Sequence, residues 1–176
     1  MQKQSAKGSE AERMFAVALP AGTVAILLNT ALLATADAAG LVTARGGLLK
    51  LVASWGVDCF QLAGREDAAH WLTSLVGGYG FRTMFHLLVG LAMAATFTRL
   101  LGQAASKHPI GVGLGAALVV WLLNAAYVLP ATGQGFAGAD TLSALGVAYY
   151  ALAHTVFFVV LSFAVRYRLQ RIGLLY

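Results

Sequence analysis

Residues 109–130 read PIGVGLGAALVVWLLNAAYVLP, an uncharged run between two prolines in which Asn124 is the one strongly polar side chain. The hydrocarbon core of a bilayer is about 30 Å thick, and about 20 residues of α-helix cross it at ~1.5 Å per residue. Pro109 suits the first turn of a helix and Pro130 its end. Residues 110–129 therefore predict a membrane span. Three further stretches have the same character: residues 14–36, 81–101 and 141–165. The fold class that follows is an all-α integral membrane four-helix bundle in a single domain, residues 1–176.

Composition agrees. Hydrophobic residues make up 59% of the 176 and charged residues 11%, against roughly 25% charged in a soluble domain. The mean hydropathy is +0.75. The net charge of +5 raises nucleic acid as a partner, but the basic residues sit mostly at the ends of apolar segments, where they act as topology determinants. The expected partner is the lipid bilayer, with a membrane-protein partner or a second copy as the protein contact and no nucleic acid. Cys59 is the only cysteine, so neither an intrachain disulfide nor a Cys/His zinc spacing exists.

Between the spans, residues 1–13 (MQKQSAKGSEAER) are polar and expected to be disordered or surface-bound. Pro20 lies inside the first span, where a kink is tolerated in lipid. Ala36-Asp37-Ala38 resembles a signal-peptidase site, but the apolar run before it is about 20 residues rather than about 7–15. Glu10 and Glu12 in the leader also argue that the helix is retained. In the first connection Leu48, Leu51, Val52, Trp55, Cys59 and Leu62 recur at helical spacing opposite Lys50, Ser54, Asp58 and Gln61. Residues 47–62 thus predict an amphipathic helix on the membrane surface or capping the bundle. A short outer helix is expected over 67–76, after Arg65, Glu66 and Asp67. An unbroken helix from there to Leu101 would be about 52 Å long at ~1.5 Å per residue, so a break is expected at Gly77-Gly78-Tyr79-Gly80.

With the N-terminus inside, Lys3, Lys7, Arg13, Arg99, Lys107, Arg166, Arg168 and Arg171 collect on the inner side, and Arg45, Lys50, Arg65 and Arg82 on the outer. Eight basic residues against four predict both termini in the cytoplasm, in a cell inner membrane.

Polar side chains within spans are functional suspects. Asn29, His86, Asn124 and His154 stand out, with Arg82 at the rim. Counted from the outer span ends, His86 and Asn124 lie about 7 Å deep, Asn29 about 12 Å and His154 about 18–20 Å. Arg82 and His86 share a helix face, and with Asn124 and Asn29 they predict either a polar pocket open to the outer side or interhelical hydrogen bonds that hold the bundle. Two histidines on different helices raise a b-type haem with axial imidazoles. The expected 11–13 Å difference in depth, from ~1.5 Å per residue, opposes it. No cofactor or metal is predicted. His70 and His108 are expected at the solvent or interface. Ser74, Ser143 and Ser162 have no His/Asp partners at catalytic spacing, and no enzymatic motif is present. In Gly111-x-Gly113-x-Gly115 the pair Gly111 and Gly115 stands four apart, as do Gly90 and Ala94, and Ala21, Gly22 and Ala25 line the first span. Such faces predict close helix packing, within the chain in preference to a homodimer face.

From Phe81 onward the motifs His86-Leu-Leu-Val-Gly90, Pro109-Ile-Gly-Val-Gly-Leu-Gly115, Trp121, Pro130, Gly133-Gln-Gly135 and His154 resemble the small bacterial four-helix inner-membrane proteins of unknown function, the YagU-like and related families. The resemblance covers residues 81–160. It implies fold and topology, and it singles out His86, Trp121, Pro130, Gly133, Gly135 and His154 as the shared pattern. Physically, Pro130 ends the span, and Gly133 and Gly135 predict a tight return with positive φ. The expected function is a non-enzymatic accessory or assembly subunit. The alternatives are a small-solute or proton pathway through the outer polar pocket, and a haem or other membrane redox protein.

Overall fold

A computed structural model describes residues 2–44 and 46–173, with side chains from Glu12 onward. Arg45, and the side chains of Lys3 and Lys7, lie outside the described residues. The described chain is helical throughout, with no strand: α1 (Gln2–Ala38), α2 (Gly47–Leu62), α3 (Glu66–Gly77), α4 (Tyr79–Lys107), α5 (Pro109–Leu123), α6 (Leu129–Ala131) and α7 (Ala144–Arg171). Four segments are long and apolar enough to cross a membrane: Glu12–Ala38, Tyr79–Lys107, Pro109–Ala131 and Ala144–Arg171.

Several helices run past their predicted spans. Residues 2–13, expected to be disordered or surface-bound, continue α1 as helix. Apart from Ser5, Gly8 and Ser9 they are good helix formers, and they extend a helix already nucleated by the apolar segment. The break between α3 and α4 falls at Gly78, whose extended backbone (φ −66°, ψ 131°) interrupts the helix within the predicted glycine cluster. Helix α2 has the predicted extent, and Gly56 lets it approach Leu72 of α3. Its buried residues are Gly47, Leu49 and Leu51 at the start, whereas Leu48, Val52, Trp55 and Leu62 of the apolar stripe are exposed. That stripe has little protein cover.

The third rod ends at Ala131, one residue past Pro130 and so where the sequence predicts. Proline has no N–H to offer the carbonyl four residues earlier, and the rod answers with a π turn over Asn124–Val128, in which the Leu129 N–H reaches back to the Asn124 carbonyl. The return to α7 uses Gly133 (φ 73°) and Gly135 (φ 71°), as the sequence predicts, and also Gly138 (φ 82°). Ser143 caps α7 by accepting from the Gly146 N–H at 3.1 Å.

One core fills the half of the bundle away from α2 and α3. It joins Val17, Ala21 and Ala25 of α1, Ala94 and Phe97 of α4, Ala117 of α5, and Phe157, Phe158, Leu161 and Val165 of α7. Methyl groups built on Gly22 and Gly90 would run into the side chains of Ala94 and Ile26, so α1 and α4 each seat a side chain on a glycine of the other. Within Gly111-x-Gly113-x-Gly115 the central glycine packs. Gly113 lies against the backbone of α7 at Phe158 and Val159, while Gly111 and Gly115 face open space. The predicted pair four residues apart is thus not the packing face.

A second, smaller core of Leu33, Ala44, Leu129, Leu142, Tyr150 and Ala153 gathers at the α2–α3 end. There the Val42 carbonyl presses on Gly146 and Gly47 packs on Val128 and Leu129. The first connection is thereby pinned across the bundle end. Gly146→Ala would drive a methyl into that carbonyl, and the expected outcome is a loss of about 1–3 kcal/mol, read as a lower unfolding midpoint in mild detergent.

Candidate functional site

In the packed half, α4 meets α7 through Phe97 on Phe158, ring centroids 5.8 Å apart. Toward the α2–α3 end the helices no longer fill the space between them, and a chamber of about 490 Å³ opens. Asn29 of α1, Arg82 and His86 of α4, Asn124 at the start of the π turn, and His154 of α7 all line it. All five residues singled out from the sequence therefore share one cavity.

Depth explains why the histidines converge. His86 is seven residues into α4 and His154 ten into α7, or about 10 and 15 Å at ~1.5 Å per residue. The expected difference of 11–13 Å shrinks because α4 begins before Phe81 and α7 after Thr141. Hydrogen bonds show the level directly. Asn29 Nδ2 donates to the Ala153 carbonyl at 2.8 Å, and the His86 ring meets Asn29 Oδ1 through Nε2 at 3.1 Å. One buried amide thus ties α1, α4 and α7 together beside His154. Opposite, Tyr150 Oη donates to Asn124 Oδ1 at 3.3 Å, while Asn124 Nδ2 donates to its own helix at Val120 (2.9 Å). His154 Nδ1 bonds the Tyr150 carbonyl at 2.9 Å, and the two rings pack edge to face at 4.5 Å. The pocket and the interhelical bonds, alternatives in sequence, are the same residues.

The chamber is layered. Its rim holds Asp37, Tyr79, Arg82, Thr43 and Thr83; the middle layer is Asn29, His86, Asn124, Tyr150 and His154; the floor is Ile26, Met93, Val120 and Phe157. Thr43 Oγ1 and Thr83 Oγ1 are buried without a hydrogen-bond partner. Tyr79, Tyr150 and the two threonines were missed from sequence. Tyrosine and threonine near a span end are too common to signal a cavity, and Thr43 lies in a connection.

Below the floor no polar route continues among the described residues. The hydroxyls of Thr98, Ser106 and Ser162 each donate to a carbonyl of their own helix, at 2.7, 2.6 and 2.8 Å. No group of three His, Cys, Asp or Glu that could hold a metal occurs among the described residues. Axial ligation of haem through His86 Nε2 would first have to displace the Asn29 bond. His70 and His108 are exposed, as expected.

No family model, curated protein or solved structure matches this chain. The resemblance over residues 81–160 accordingly rests on the quoted motifs alone.

Proposed function

We propose that this chain is an integral membrane protein whose bundle holds a binding chamber for a small solute, entered from the α2–α3 end. The observation that carries this reading is the convergence of Asn29, His86, Asn124, Tyr150 and His154 on one cavity of about 490 Å³. Ligand sites of ~300–1,000 Å³ with apolar walls and a few convergent polar groups are the usual kind. The packed floor and the self-satisfied hydroxyls beneath it favour a binding site over a conduction path for solute or protons. Leu19, Leu27, Leu88, Leu118, Leu122 and Phe163 on the outer faces of the rods are exposed, which suits contact with lipid chains. In this reading the apolar stripe of α2 lies in the membrane surface.

Charge supports the threading. Arg13, Arg99, Lys107, Arg166, Arg168 and Arg171 belong to the far end of the bundle, and Lys50, Arg65 and Arg82 to the chamber end. The positive-inside bias then puts both termini in the cytoplasm of an inner membrane and the chamber mouth on the opposite side.

Native mass spectrometry of protein released from its own membranes tests the chamber. The expected result is a small-molecule adduct that is lost in Thr83→Phe, whose ring occupies the cavity, while circular dichroism is unchanged. A bare chain, together with an Asn124→Cys side chain (in a Cys59→Ser background) that no small thiol reagent reaches, would defeat the proposal. An optical spectrum of the same sample settles the haem version, since a Soret band would replace this reading with it.

A second reading, an accessory or assembly subunit, draws on the bare face of α5, where Gly111 and Gly115 sit among exposed Ile110, Leu114 and Leu118. Small-xxx-small faces admit close helix partners. Recovery of a monodisperse lone chain from mild detergent would count against it.

A further inference from the structure

Hydrogen-bond direction in the middle layer narrows the ligand, given the chamber reading above. A carbonyl oxygen only accepts. The contact from His154 to the Tyr150 carbonyl therefore places a proton on Nδ1, and in the neutral ring Nε2 is left as an acceptor. The same rule orients Asn29: its Nδ2 donates to the Ala153 carbonyl, so Oδ1 receives the proton on His86 Nε2. Asn124 Nδ2 is committed to the Val120 carbonyl, so Oδ1 receives the Tyr150 hydroxyl proton. One direction satisfies the whole set.

The polar layer therefore presents lone pairs to the chamber, on His154 Nε2 and on Tyr150 Oη. Its hydroxyl and imidazole protons point to protein acceptors, and each amide nitrogen keeps one further N–H. A carboxylate or phosphate, which only accepts, would face the lone pair at His154. The fixed charges among the described lining residues are Asp37 and Arg82 at the rim. Asp37 stands eight residues from Asn29, about 12 Å along α1 at ~1.5 Å per residue. Arg82 stands four residues from His86, about 6 Å along α4 at ~1.5 Å per residue. A cation would find no carboxylate at the level of His154, and an anion held by Arg82 would leave the His154 lone pair without a donor. The group that fits is neutral and brings its own donor. Phe85, Met93, Tyr150 and Phe157 surround the space with aromatic and thioether surface, which suits a flat ring.

We infer that the chamber takes a neutral hydroxylated aromatic molecule, of the phenol or hydroquinone class, whose O–H donates to His154 Nε2. A second polar substituent would meet the unpartnered hydroxyls of Thr43 and Thr83 at the rim.

Three probes of one shape test the inference on the full chain in lipid nanodiscs, with empty discs subtracting partition into lipid. They are 2-naphthol, its methyl ether 2-methoxynaphthalene, and the anion 2-naphthoate. Wild type is expected to bind 2-naphthol once per chain and at least tenfold tighter than the other two. His154→Phe should erase that preference, and His154→Gln, whose amide oxygen can accept, should keep part of it. Equal binding of the naphthol and its ether, or tighter binding of the naphthoate, overturns the assignment on wild-type protein alone, even where a variant fails to fold. If binding without that preference is still lost in Thr83→Phe, the chamber stands and only the ligand class falls. If no probe binds above empty discs, the ligand class is again refuted, and the adduct measurement judges the chamber separately.

Discussion

Gly113→Val is expected to destabilise the bundle by about 3 kcal/mol, the upper part of the range for overpacking a tight contact. A Cβ at Gly113 would lie 2.9 Å from Val159 Cα and 3.0 Å from the Phe158 carbonyl oxygen. Both are backbone atoms of α7, so relief requires the two helices to move apart. Gly111→Val and Gly115→Val put the same side chain on the same helix but into open space, and each should change stability by no more than about 0.5 kcal/mol. The comparison holds composition and hydropathy constant. Unfolding midpoints of the three variants in one mild detergent decide it, and equal losses would mean that the α5–α7 contact is misassigned. A large loss at Gly111 or Gly115 alone would instead reveal a partner on that face.

Asn29→Ala should cost about 1–2 kcal/mol. Hydrogen bonds between membrane helices average only ~0.6 kcal/mol each, with a maximum near 1.7, but this side chain makes two, one to His86 of α4 and one to the Ala153 carbonyl of α7. It is also buried, and truncation takes from the Ala153 carbonyl the amide that reaches it from α1. A double-mutant cycle with His86→Ala isolates one bond. The expected coupling is about 0.6 kcal/mol, and simple additivity would show that the His86–Asn29 contact contributes nothing. The larger part of the loss should persist in the His86→Ala background, because the link to α7 is made by the other end of the amide.

The site was legible in part, and the misses have a common cause. Asn29, His86, Asn124 and His154 stood out because strongly polar groups are rare inside spans, and rarity survives without coordinates. Their relative depth did not survive. It was counted from span ends, and a shift of two or three residues at Phe81 and Thr141 moved His86 and His154 toward each other by several ångströms. Tyr150 was overlooked because tyrosine is at home near any membrane interface. The π turn that carries Asn124 follows from Pro130, yet proline at that position reads equally well as a helix stop.

Sequence alone determined the long elements and the punctuation: four helices long and apolar enough to cross a membrane, the break at Gly78, the extent of α2, and left-handed backbone at Gly133 and Gly135. These are properties of single segments, set by length, polarity and backbone freedom. Which side of each rod turns inward was decided by the tertiary structure. In water an apolar stripe marks the buried face, but a helix in lipid is apolar on both sides, and α5 carries leucines on its exposed face and a glycine on its buried one. Packing of Gly113 on α7, and the opening of a chamber where α4 and α7 part, depend on shape between helices, which hydropathy does not encode.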